Sequence, residues 1–163
     1  MGVSINNSGA QKKLSDLRAM DRRASNPSAV WPKVGSYWRM AISRQFATKG
    51  AYFGQPWQPL KPGYALWKVS HGYSRNLLVQ TGAMRASFIS SPMSIEKYMG
   101  NTAVFGSTNQ KAVWQHFGTH RNGKRAIPPR KIMVKTAKNT KDIQDIMAEY
   151  VLGRQSGGVR ARI

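Results

Sequence analysis

The stretch "AVWQHFGTHRNGKRAIPPRKIM", residues 112–133, sets two histidines four residues apart beside a glycine. A basic loop follows, then a double proline and an arginine. Four readings compete for it: a metal site, a catalytic loop, a grip on nucleic acid, or a rigid piece of an assembly. Its local grammar is a short helix over residues 110–117 ending at Gly118, then an exposed turn at "RNGKR" (121–125). Which chemistry the stretch can support depends on what the rest of the chain supplies.

His116 and His120 have the spacing of two ligands on one helix face. A catalytic zinc needs a third protein ligand. The chain has no cysteine, no carboxylate between residues 97 and 141, and only one further histidine, His71. Gly118 also weakens the helix that both histidines would share. The histidines therefore read as packing or interface residues, and neither a metal nor another cofactor is expected. Acid–base chemistry is equally short of material. Paired carboxylates are the usual solution, yet the one acidic cluster, Asp142, Asp145 and Glu149, falls on the outer face of a predicted surface helix. No nucleophile elbow is present, and Gly100, Gly106 and Lys111 are wrongly spaced for a phosphate loop. The expectation is a protein that is not an enzyme.

Charge is the strongest signal. Twenty-six Lys and Arg face six Asp and Glu, a formal net charge of +20 on 163 residues. No acid lies between Asp21 and Glu96, and none between Glu96 and Asp142; each interval holds ten basic residues. Such a surface repels itself and is expected beside a polyanion or an acidic protein. The basic loop Arg121, Lys124 and Arg125, followed by Arg130, Lys131 and Lys135, suits phosphates. No zinc-finger, RNA-recognition or leucine-zipper pattern accompanies it. Basic residues spread along the whole chain favour a surface that lines nucleic acid over one that reads a sequence.

The organisation expected is one α+β domain over residues 10–153: N-terminal helices, a small antiparallel sheet with a hairpin, and a C-terminal helix. A loose arm (1–9) and a flexible basic tail (154–163) flank it. Ala10, Leu14, Leu17 and Met20 give the first helix its period, and "SNPSAVWP" (25–32) breaks it. Val34, Tyr37, Trp38, Ala41 and Ile42 stripe a second helix, about 33–46, with Gln45 as an interruption. Residues 50–76, rich in Gly, Pro and aromatics, read as an ordered loop pinned by Trp57 and Trp67. "ASFISSPMSI" (86–95) and "YMGNTAVFG" (98–106) read as a strand pair with Pro92 at an edge or bulge. "RKIMVKTA" (130–137) reads as a further strand. Ile143, Ile146, Met147, Tyr150 and Val151 stripe the last helix, with Thr140 as N-cap and Gly153 as stop. No apolar run is long enough to span a bilayer, and the N-terminus lacks the apolar core of a secretory signal. A soluble, cytosolic product with no membrane partner is expected.

Four pieces, in order, resemble the phage virion-morphogenesis (tail-completion) family of Mu-like and P2-like tailed phages. "WQPLKPGYALWK" (57–68) resembles its W-x-P-L…K segment, and "LLVQTGAMRASF" (77–88) its L-V-x-T-G-x-L-R-x-S step. "TAVFGS" (102–107) is similar to its V-x-I-G strand end, and residues 112–133 to its Y-A-x-I-H-Q-F-G…I-P-A-R-P-F. The family's His-Gln order stands here as Gln115-His116, its alanine as Pro129, and the proline after its arginine as Lys131. The resemblance covers residues 57–135.

It implies an α+β domain without catalytic residues, assembled as a ring of six or twelve copies in the head–tail neck of the virion. The partners implied are portal, adaptor or connector and tail proteins, with genomic DNA passing through the lumen without sequence reading. Within that frame Trp114 and Phe117 are expected as anchors packing beneath the loop. Pro128 and Pro129 would fix Arg130 for a carboxylate on a neighbour, the Asp142, Asp145 and Glu149 face being the candidate. Trp114, His116, Phe117, Arg130 and those three acids form the candidate intersubunit set. Arg121, Lys124, Arg125, Lys131 and Lys135 form the candidate set for DNA or acidic partners. The competing class is a basic nucleic-acid-binding protein acting as a monomer or dimer, with a small histidine-centred hydrolase third.

Overall fold

Helix α2 (Trp31–Ala47) is the axis around which the chain is assembled in the computed structural model, which describes residues 7–154. Pro32 lies in its first turn, where a missing N–H breaks no helical bond. The stripe Val34, Tyr37, Trp38, Ala41 and Ile42 is buried, and Gln45 and Phe46 continue it. Gln45 is no interruption. Its Oε1 accepts the Phe53 N–H at 3.0 Å and its Nε2 donates to the Lys131 carbonyl at 2.9 Å, so a fully buried amide is paired at both ends.

Helix α1 (Ser8–Ser25) precedes it through a 3-10 turn at Pro27–Val30 and buries none of its residues. Leu14 and Leu17, on its apolar stripe, stay exposed. Its C-terminal end is tied to α6: Arg23 Nε donates to the Val151 carbonyl at 2.8 Å, and Tyr150 Oη to the Asn26 carbonyl at 3.1 Å.

Residues 50–76, expected to be a loop, contain a 3-10 turn at Ala51–Phe53 and helix α3 (Pro62–Ser70). α3 inverts the usual pattern. Tyr64, Leu66, Trp67 and Val69 are exposed while Lys68 is buried, so no apolar stripe advertises the helix. Helix α4 (Ala83–Ile89) takes the first part of the segment expected to be a strand. Met84 and Phe88, four apart, are buried on one face. The strand starts later, as β1 (Ile95–Met99), and pairs antiparallel with β2 (Thr102–Gly106), Ile95 opposite Gly106 and Met99 opposite Thr102. Pro92 lies in the connection before β1 and not in the sheet.

Three features among the described residues help dock this hairpin on α2. Arg39 Nη1 meets Glu96 Oε2 at 2.6 Å, and Trp31 Nε1 donates to the Gly100 carbonyl at 2.9 Å. Gly35 provides the third, since a Cβ there would fall 2.5 Å from Glu96 Oε1.

Helix α5 (Gln110–Phe117) leads to a second hairpin, β3 (Thr119–Arg121) with β4 (Lys124–Ile127). The "RNGKR" turn is its tip. Asn122 (φ 51°) and Gly123 (φ 71°) both take the positive angles that a tight two-residue hairpin turn requires. Residues 130–137 form no strand. Their main-chain groups are bonded by side chains instead: the Lys131 carbonyl accepts from Gln45 and from Trp57 Nε1, each at 2.9 Å, and the Ile132 N–H donates to His116 Nδ1 at 3.2 Å.

Helix α6 (Ala137–Val151) is capped by Thr136, not Thr140. Thr136 and Asn139 close a reciprocal capping box, and Gly153 (φ 67°) lies just past the helix end. Ile146 is buried, with Ile143, Met147 and Tyr150 packed on the core. The class is α+β, with N-terminal helices, small antiparallel hairpins and a C-terminal helix. Of the arm expected over 1–9, residues 1–6 lie outside the described residues, while Ser8 already belongs to α1. Of the tail expected over 154–163, only Arg154 is described. No described helix is long and apolar enough to cross a membrane.

Candidate functional site: an arginine-locked cleft and an exposed helix face

Gly118 decides where the opening stretch goes. Its φ of 77° and ψ of 175° belong to a region open essentially to glycine alone. A Cβ there would stand 2.6 Å from the Ile127 carbonyl oxygen and 3.0 Å from the Pro129 nitrogen. The chain thus folds tightly from α5 into the second hairpin and returns along α5 through Pro128 and Pro129, delivering Arg130 to the end of that helix.

There Arg130 turns inward and is 5% exposed. Its main-chain N–H donates to the Gln115 carbonyl at 2.6 Å. Its guanidinium donates from Nε to the Gln58 carbonyl at 3.0 Å, from Nη1 to Gln115 Oε1 at 3.0 Å, and from Nη2 to the Pro59 carbonyl at 3.4 Å. The carboxylate partner expected for this residue is replaced by carbonyl oxygens of its own chain. The rigid fork ties residues 58 and 59 to the Gln115 side chain of α5.

Arg130 forms part of the wall of a cleft of about 670 Å³. Residues 58–61 and α3 line one side, residues 78–84 another, and α5 and the end of β4 the rest. Three of the four stretches that carry the family resemblance converge on this one cavity. Its charged lining groups, Lys61, Lys68, Lys111 and Arg130, are all cations. Lys68 is 3% exposed and donates from Nζ to the Asn76 and Val79 carbonyls at 3.0 and 2.9 Å, which holds residues 76–79 against α3. Burial pulls its pKa below the usual lysine value. Sequence reading had assigned Lys68, Gln58 and Gln115 no role. The available signal was their membership of separate resembling stretches, which only the fold brings together.

The other expected residues divide into two groups. His116 is half-buried on α5, its Nδ1 accepting from Ile132; burial, then the nearby Lys131 charge, pushes its pKa down. His120 is exposed on β3. Trp114 and Phe117 do not pack beneath the loop. They are 44% and 66% exposed, and with Val113 at 53% they form an apolar outer face on α5. Lys131 Nζ lies 5.0 Å from the Phe117 ring centroid. Arg121 and Lys124 are exposed at the hairpin tip, Arg125 lies in β4, and Lys135 is exposed before α6. The acids of α6 are used unequally. Asp142 Oδ2 accepts from Tyr37 Oη at 2.8 Å, and exposed Asp145 lies 3.8 Å from Lys141. Glu149 is partly buried. Among the described residues no cluster of three or more His, Asp or Glu could hold a metal.

Fold and site together define a small, strongly basic α+β domain, rigidly cross-tied inside and presenting apolar side chains outward. The profile of the phage virion morphogenesis family matches residues 5–152, nearly the whole chain and well beyond the stretches that resemble it by eye. The chain belongs to that family, and its role is in phage structure and assembly. No curated protein and no solved structure matches it.

Proposed function

We propose that this chain is a structural component of the phage head–tail neck, a tail-completion, connector or terminator subunit that assembles as a ring around the DNA exit path. The observation that carries the reading is the outer face of α5. Val113, Trp114 and Phe117 stand exposed together beside the basic hairpin, whereas Tyr37, Trp38 and Phe46 of α2 are buried. An apolar surface held on a rigid element fits a neighbouring subunit. A closed ring needs such a heterologous face, met by a different face of the next copy. Arg121, Lys124, Arg125, Lys131 and Lys135, on the adjoining hairpin and the segment after it, would then line the lumen or meet acidic neighbours. Phosphates are neutralised there without base reading. The role is read as architectural and not catalytic.

One feature favours the second reading, a basic nucleic-acid binder acting alone. Tyr64 stacks on Trp67 on exposed α3, with ring centroids 5.6 Å apart and planes 13° apart, and aromatic ladders of this kind can stack bases. Imaging of intact particles separates the two. Density for this chain between portal and tail supports the neck reading. A chain absent from particles, yet saturating DNA in solution as a monomer or dimer, overturns it.

A further inference from the structure

We propose that the Arg130 cleft is a docking groove for an extended, acidic segment of a different protein. The shape of its walls comes first. β4 pairs with β3 alone among the described residues, so its second edge has no partner strand, and the β4 residues Ala126 and Ile127 line the cleft. A chain laid along an open strand edge gains main-chain hydrogen bonds, while alternate side chains turn toward the groove. Leu60, Leu78, Met84 and Ile127 supply apolar surface for those side chains.

Charge selects the occupant. Lys68 and Arg130 spend their donors on carbonyls of their own chain, but Lys61 and Lys111 are exposed and carry no ion pair among the described residues. No carboxylate lines the cleft. The groove therefore presents two free cations beside an apolar floor, which suits a peptide that alternates acidic and apolar residues.

A second copy cannot supply that peptide from its described residues. Glu96 is paired with Arg39, and every other acid lies on α1 or α6. Only Glu96 stands in an extended segment, β1, and its carboxylate is already bonded within its own chain. Nucleic acid fits less well, because an apolar floor offers nothing to phosphates and half the cations are internally committed. The proposal needs only the cleft and is independent of ring formation.

The test is selection of random short peptides on the immobilised full chain, followed by titration of the enriched peptides by fluorescence anisotropy. Two variants accompany the wild type. Ala83→Trp fills the groove from an exposed lining position, and Lys61→Glu with Lys111→Glu reverses its free charges; should the first fail to fold, the second decides. Enriched peptides are expected to be acidic with interleaved apolar residues, and to lose at least about tenfold in affinity to each variant. Oligothymidylate binding should be unchanged by Ala83→Trp. The proposal is overturned if no peptide enriches, if the enriched peptides are not acidic, or if they bind the variants as well as wild type. It is equally overturned if oligothymidylate displaces them and itself depends on the open groove, or if Ala83→Trp abolishes self-association of the chain.

Discussion

Gln115 holds Arg130 at both ends: its main-chain carbonyl accepts the Arg130 N–H at 2.6 Å, and its Oε1 accepts Nη1 at 3.0 Å. Both bonds join residues that flank the second hairpin, so it is clamped at its base while Asn122 and Gly123 stay exposed at its tip. Arg130→Ala would remove the three side-chain bonds that tie residues 58 and 59 to α5 in this part-buried site, a loss of about 1–3 kcal/mol. Arg130→Lys keeps the charge without the fork and should fall between. Urea unfolding curves of the three proteins test the order.

Gly118→Ala should be as damaging through the backbone alone. The new Cβ meets the Ile127 carbonyl, and the φ of 77° is strained for any other residue. A loss of about 2 kcal/mol or more is expected. Calorimetric melting should show it, and Gly123→Asn at the open hairpin tip should cost clearly less.

His116 should make the base of the hairpin acid-labile. Its Nδ1 accepts the Ile132 N–H, which requires an unprotonated nitrogen, and burial with the Lys131 charge lowers its pKa. The lowered value means that the unfolded chain takes the proton first. The stabilisation is fully present above the ordinary histidine pKa of about 6.5 and is lost as pH falls through the folded value. Hydrogen exchange at the Ile132 amide, corrected for intrinsic rate, should accelerate on acidification in the wild type. In His116→Ala it should already be fast at neutral pH.

Glu96 anchors the first hairpin. Burial pushes its pKa up, but bonds from Tyr98 Oη, the Met93 N–H and Arg39 outweigh that and hold the carboxyl below its usual range. The same contact, with burial as the larger cause, pushes Tyr98 up to about 12. Because the Glu96 value is depressed, its contribution is present above the ordinary carboxylate pKa and disappears as acid carries the pH through the folded one. Glu96→Gln leaves Arg39 without its charge partner and should cost roughly 3 kcal/mol. Its stability should also vary less than wild type over the acid range, which denaturation at several pH values measures.

The outer face of α5 should separate folding from assembly. Trp114→Ser with Phe117→Ser removes exposed apolar surface and should leave monomer stability within about 0.5 kcal/mol per substitution. Incorporation into particles, followed by immunoblotting of purified virions, should fall sharply. Normal incorporation would remove α5 from the subunit interface.

The sequence by itself determined the elements that carry a local signature. The stripes of α2 and α6 and the stop of α5 at Gly118 follow from neighbours within one or two turns, where spacing alone sets which side faces the core. A hairpin was legible too, but its first strand is 95–99 and not 86–95. Order along the chain was also enough to show the family resemblance. Tertiary structure decided what spacing does not encode. α3 was hidden because its apolar residues face outward and its lysine inward. The cap of α6 is the exception, a local feature that was overlooked: Thr136 and Asn139, three apart, close the box. Residues 130–137 gave up a strand because distant side chains took their hydrogen bonds. Trp114 and Phe117 read as core anchors by type, yet among the described residues no element covers them, while Arg130 read as a surface cation and was buried. Its partners on residues 58 and 59 lie more than seventy positions away. A side chain's burial depends on which remote segments arrive beside it, and only the folded chain fixes those arrivals.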